Sequence, residues 1–201
     1  MNDVTRLLFV SIAVATVSPL LQAQQQPTEA ATVACCRRVE VIANRSGGYE
    51  RVPEYLSVWI EPDSRHWAFQ REFVNEARAA FGEWSDAGVP VIFDFTSDST
   101  RAMIRVFWRN RFSDRTTGRS TWWTADGLLK RVDVEVALAA HPGVDTPIVR
   151  AVVMHEIGHL LGFSHVNESD SIMSYYISRP ALSSRDVARM RTRFALQTGQ
   201  R

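Results

Sequence analysis

His155-Glu156-Ile157-Gly158-His159-Leu160-Leu161-Gly162-Phe163-Ser164-His165 is the stretch on which the reading of this chain turns. It lies at the end of a segment with its own helical signals. Asp145-Thr146-Pro147 offers a start, with Thr146 as cap and Pro147 at the first helical position. Residues 147–161 then carry Ile148, Val149, Val152, Val153, Ile157, Leu160 and Leu161, apolar around much of the circumference, so this helix is expected to be buried under a sheet. His155 and His159 are four apart and fall on one face, one turn apart. Glu156 is rotated by about 100° from His155, beside that face rather than on it. Gly162 suits a helix end, because glycine accepts the left-handed conformation that turns the chain, and the turn lets His165 return. Three histidine nitrogens with a fourth position open is the donor set of a catalytic zinc ion, whereas structural zinc sites close with four protein ligands. A lone histidine on a helix is usually an ordinary polar residue, and a bare His-Glu-x-x-His arises by chance. Here five positions of a longer pattern agree on a segment that is helical for independent reasons.

Upstream the pattern is mainly of strands. Leu56, Val58 and Ile60 alternate with Ser57 and Trp59, and the folded domain is expected to begin near Tyr55. Pro62-Asp63-Ser64 stops that strand and offers a cap for a helix carrying Trp67, Gln70, Phe73, Val74, Ala77, Phe81 and Trp84. Gly88 and Pro90 end it. Strands are then expected over residues 91–95, 102–108 and 119–124, with a turn at Asp126-Gly127. A fifth follows, with Val132, Val134, Val136 and Leu138 alternating with Asp133, Glu135 and Ala137. A last helix runs over residues 184–196, where Ser183 and Asp186 resemble a capping box. Strand, helix, four strands, helix, helix describes a mixed sheet with helices packed on it, an α+β or α/β domain.

The remainder of the chain bears on location. After Arg6, residues 7–21 are almost entirely apolar, Pro19 interrupts them, and Ala23 offers a small residue before Gln24, so residues 1–23 read as a cleavable secretory signal peptide. The run is shorter than the roughly 20 residues a membrane span needs. An exported product, secreted or periplasmic, with no stable membrane span after cleavage is expected. Residues 24–53 read as a flexible N-terminal segment or short pro-segment, and residues 54–201 as the catalytic domain. The only cysteines, Cys35 and Cys36, are adjacent, so the chain is not a disulfide scaffold. A formal net charge of +1 gives no argument for nucleic acid as a partner.

With these residues in view, the chain resembles the metzincins, the metalloprotease clan defined by the extended histidine pattern and a downstream methionine turn. Ser171-Ile172-Met173-Ser174-Tyr175 resembles that turn, and the short interval from His165 to Met173 is similar to the matrixins. Ala80-Phe81-Gly82-Glu83-Trp84-Ser85, Ala102-Met103-Ile104-Arg105-Val106-Phe107 and Leu182-Ser183-Ser184-Arg185-Asp186 extend the likeness over residues 55–196. The resemblance implies a five-stranded mixed twisted sheet with two helices and a small C-terminal subdomain holding a third. It implies zinc ligation by His155, His159 and His165, Glu156 as general base, and Met173 as the floor beneath the metal, with Asp186 supporting the turn. The chain departs from matrixins in Val166 after the third histidine and in Ser174-Tyr175-Tyr176 after the methionine. Met-Ser-Tyr is similar to serralysins and astacins, where the tyrosine helps to hold the oxyanion, so Tyr175 is either a catalytic residue or a pocket wall. Only His66 and His141 remain for the second, structural zinc of matrixins, and its absence is expected. Asp126, Asp133 and Glu135 are candidate calcium ligands, although ordinary surface carboxylates are the favoured reading because no dense oxygen-ligand loop is present. The resemblance further implies a protein or peptide substrate lying extended along an edge strand at residues 119–124, with residues 176–180 in the pocket wall. One of Cys35 and Cys36 could ligate the zinc as a latency switch, but the pro-segment motif that surrounds such a cysteine in the family is missing. A secreted zinc endopeptidase is the expected function, and a catalytically silent zinc-binding module is the alternative.

Overall fold

The computed structural model describes residues 52–114, 116–125, 128–139, 145–177 and 180–198, with residues 31–34 and 196–198 described as main chain only. The signal-peptide region, Cys35, Cys36, Asp126 and His141 lie outside the described residues.

The five expected strands are present as β2 (Tyr55–Ile60), β3 (Ile92–Phe95), β4 (Ile104–Arg109), β5 (Gly118–Ala125) and β6 (Leu128–Ala137). A sixth, β1 (Ala31–Ala34), comes from the N-terminal segment, and the sheet order is β1-β5-β6-β4-β2-β3. β2 pairs in parallel with β3 and β4, and β4 in parallel with β6. β5 runs antiparallel to β6 and to β1. The sheet is therefore mixed. The stretch expected to be the open edge is not the edge, because β1 lies outside β5 with Val33 opposite Ser120.

Strand alternation decides which face is covered. Leu56, Val58, Ile104, Val106, Val132, Val134 and Val136 are fully buried and form one core with residues of α1 (Glu72–Asp86) and α2 (Thr146–Leu160). The opposite face carries half-buried charge. Arg105 binds both oxygens of its cross-strand neighbour Asp133, at 2.8 and 2.7 Å, and Arg109 pairs with Glu135 at 2.6 Å. The candidate calcium carboxylates Asp133 and Glu135 are thus each matched by a guanidinium.

Two element starts differ from expectation. α1 begins at Glu72, not near Ser64. Phe73, Ala77, Phe81 and Trp84 keep a helical stripe, but Trp67 lies six residues before Phe73, about 240° round the helix and off it. Trp67 is 82% exposed in a loop. The cap of α2 is Asp145, whose carboxylate accepts from the Ile148 N–H at 3.0 Å, so Thr146 is already helical and Pro147 sits in the first turn. The third helix, α3 (Ser184–Thr198), starts where expected, and its capping box is formed. The Asp186 N–H donates to the Ser183 hydroxyl, while the Ser183 N–H and hydroxyl both donate to the Asp186 carboxylate. Met190 and Phe194 on α3 reach the main core.

Among the described residues, no helix is long and apolar enough to cross a membrane.

Candidate active site

α2 is buried almost all round: residues 151–160 are all buried, so His155, Glu156 and His159 are carried into the interior, at 0%, 0% and 6% exposure. The helix ends by a Schellman arrangement. The Gly162 N–H donates to the His159 carbonyl at 2.9 Å and the Phe163 N–H to the Gly158 carbonyl at 2.9 Å. Gly162 has φ +86°, which L side chains rarely adopt, and the Arg193 guanidinium occupies the place of its missing Cβ. Beyond the turn the Val166 N–H donates to the Met173 carbonyl at 3.0 Å, which pins the segment after His165 to the methionine turn.

The turn is held in place from α3. The Asp186 carboxylate accepts from the Ile172 N–H at 3.0 Å and from the Ser171 hydroxyl at 2.5 Å. The two expectations for Asp186, the local cap and the turn support that the resemblance implies, are therefore both realised. Met173 packs directly beneath Gly158, where an added Cβ would come within 2.2 Å of the Met173 sulfur. A Gly158→Ala protein is expected to lose about 1–3 kcal/mol of stability through overpacking, read as a lowered Tm of the metal-free protein.

The three histidines converge. The Nε2 atoms of His155 and His159 are 3.0 Å apart, those of His155 and His165 3.0 Å, and those of His159 and His165 3.2 Å. What the other ring nitrogens do decides their chemistry. Nδ1 of His155 lies 2.6 Å from the Ile172 carbonyl oxygen and Nδ1 of His159 lies 2.8 Å from that of Phe163. A carbonyl oxygen only accepts, so both Nδ1 atoms carry the proton and both Nε2 atoms present lone pairs inward. Burial, then the neighbouring imidazoles, holds His155 far below the ordinary histidine range. Burial and His165 push His159 down to about 3, and burial lowers His165 as well. Neutral imidazoles with converging lone pairs suit a cation and little else. Zinc bound to nitrogen at about 2.0–2.1 Å in a tetrahedron sets those nitrogens about 3.3 Å apart, within a few tenths of what is seen. Among the described residues no fourth His, Cys, Asp or Glu joins the group.

A pH dependence follows. The unfolded chain binds protons on these histidines below about pH 6.5, and the folded chain does not, so stability rises with pH across that window and is lost as pH falls through it. The metal-free protein is expected to be less stable at pH 5 than at pH 7.5, with His159 alone contributing about 2 kcal/mol of the difference. Urea unfolding at the two pH values measures it.

Glu156 lies beside the histidines, and its Oε2 accepts a hydrogen bond from the Ser120 hydroxyl of β5. Two residues earlier on the same strand, a Cβ at Gly118 would lie 2.5 Å from Glu156 Oε1 and 2.6 Å from Val152 Cγ1. Gly118 did not stand out in the sequence, and Ser120 entered only as part of the expected substrate strand at residues 119–124. The signal was a small Gly-x-Ser on the inward face of a strand whose neighbour presents Val136 and Val134 at the paired positions. Tyr175 is also at the site, its ring 4.4 Å from the His165 ring and tilted 33° to it. Tyr176 is 81% exposed beyond it.

The family model described as Matrixin (Peptidase_M10) matches residues 120–194. Over that stretch the chain is similar to the matrixins. The match runs from within β5 through β6, α2 and the methionine turn into α3. The fold and the histidine triad agree with it, and the function is of the zinc-metallopeptidase type, acting on peptides or proteins. A search of curated proteins found no significant match.

Proposed function

We propose that this matrixin-like chain is an exported endopeptidase that hydrolyses peptide bonds with water activated by zinc at His155, His159 and His165. The observation that carries the reading is the inward aim of the His155 and His159 Nε2 lone pairs, set by the carbonyl partners of their Nδ1 atoms, with Glu156 beside them. When bound, zinc supplies Lewis acidity, lowering the pKa of water toward about 7 and polarising a carbonyl. Glu156 takes the proton from the attacking water and passes it to the leaving amine nitrogen. Its complete burial excludes bulk water from that transfer. Tyr175, held against His165, is placed in this reading as an oxyanion donor or as the wall that orients the His165 ring.

Substrate binds in extended form along the outer side of β5. The support is that this side takes an antiparallel strand, residues 31–34 of the chain itself. Residues 24–53 act in the same reading as a short pro-segment that precedes a catalytic domain of residues 54–201. Export rests on the apolar residues 7–21.

Incubation of the purified chain with a mixed peptide library tests the proposal. Internal cleavage that stops with a chelator and returns with added zinc is expected. Zinc bound at full stoichiometry with no peptide cut would favour the silent binding module instead.

A further inference from the structure

We propose that Ser120 is a positioning residue for Glu156, fixing the aim of the carboxylate against a peptide strand paired to β5; this rests on the peptidase reading above. Three observations carry it. The Ser120 side chain is fully buried and its hydroxyl donates to Glu156 Oε2, linking β5 to α2 across 36 residues of sequence. A hydroxyl that donates to a buried carboxylate holds the acceptor oxygen in one place.

The strand is also shaped for this carboxylate. On the inward face of β5, Gly118 and Ser120 are small, while their partners on β6 are Val136 and Val134, both in the core. The next inward residue, Trp122, is large again and packs against the core. The small positions coincide with Glu156: Gly118 leaves room at Oε1, which a Cβ would crowd at 2.5 Å, and Ser120 grips Oε2. A strand that only had to fill the core would carry apolar side chains there, as β6 does.

Ser120 also belongs to the second ladder of β5. It stands opposite Val33 in the β5–β1 ladder. One residue therefore holds the base with its side chain and belongs to the main-chain ladder of an extended segment. A peptide paired on β5 and the carboxylate that serves it are registered through the same backbone, so the base is aimed before substrate arrives.

Ser120→Ala and Ser120→Thr in the full chain test this. Ser120→Ala is expected to lower kcat by about 10²-fold, the cost of misplacing a reacting group by roughly 1 Å, with KM and zinc content close to wild type. Ser120→Thr keeps the hydroxyl and should restore most of kcat. In metal-free protein, the Tm shifts of Ser120→Ala and Glu156→Ala should combine to less than their sum in the double variant, because each removes the same contact. Wild-type kcat in Ser120→Ala while Glu156→Gln is inactive overturns the positioning role and leaves the peptidase reading standing. Additive Tm shifts overturn the contact itself. If wild type cleaves no peptide, the peptidase reading and the role in catalysis fall together, and non-additive Tm shifts would then show that the contact survives without that role.

Discussion

A Glu156→Gln protein binds zinc at wild-type stoichiometry and cleaves peptides about 10²–10⁴-fold more slowly, the range expected when a general acid–base group is removed. Glutamine matches glutamate in shape and can still accept from the Ser120 hydroxyl, so the fully buried site stays filled. No ligand nitrogen is touched, since the converging atoms belong to His155, His159 and His165. What is lost is the capacity to take a proton from water and deliver it to the leaving nitrogen. The loss should appear in kcat with little change in KM, because Glu156 lies on α2 and not on β5, the strand proposed to pair with substrate. Steady-state kinetics on one defined peptide, with metal content measured on the same samples, gives the answer. A wild-type kcat in the zinc-loaded variant would remove Glu156 from the reaction.

His159→Ala is expected to have the larger effect on metal, weakening zinc binding by well over about 100-fold, since altering even the outer partners of a ligand costs 10–100-fold. The substitution removes one of three nitrogens that stand 3.0–3.2 Å apart and also strips the Phe163 carbonyl of its ring N–H donor. The fold should survive, because the core is built from the sheet and the apolar sides of α1 and α2. The stabilisation that zinc gives the wild type, about 4 kcal/mol at a thousandfold excess over Kd, should vanish from its melting curve. A zinc-induced Tm rise equal to that of the wild type would show that His159 is not a ligand.

The sequence carried the site more completely than it carried the surroundings of the site. His155, His159 and His165 were legible because a helical period and a glycine turn alone bring them together, both local features. The strands with strict alternation, such as Val132 to Val136, were legible for the same reason. The start of α1 was not, because Trp67 extends the run of large apolar residues backwards while lying off the helical stripe. The cap of α2 shifted by one residue, since Asp145 and Thr146 both have a side-chain oxygen and only the backbone decides which is used. The bond between Ser120 and Glu156 was illegible because it joins a strand to a helix 36 residues away. The pairing of Ala31–Ala34 on β5 was illegible too, since that segment has no alternation and the contact is made by main chain. The roles of Asp186 were half legible. The capping box is local, and its bond to the Ile172 N–H is not.

X-ray absorption at the zinc edge of the purified protein tests the central claim most directly. Three imidazole nitrogens and one exchangeable oxygen, all at about 2.0–2.1 Å, are predicted. A shell containing sulfur, or a fourth protein nitrogen in place of the oxygen, would contradict an open three-histidine site and the hydrolytic chemistry built on it.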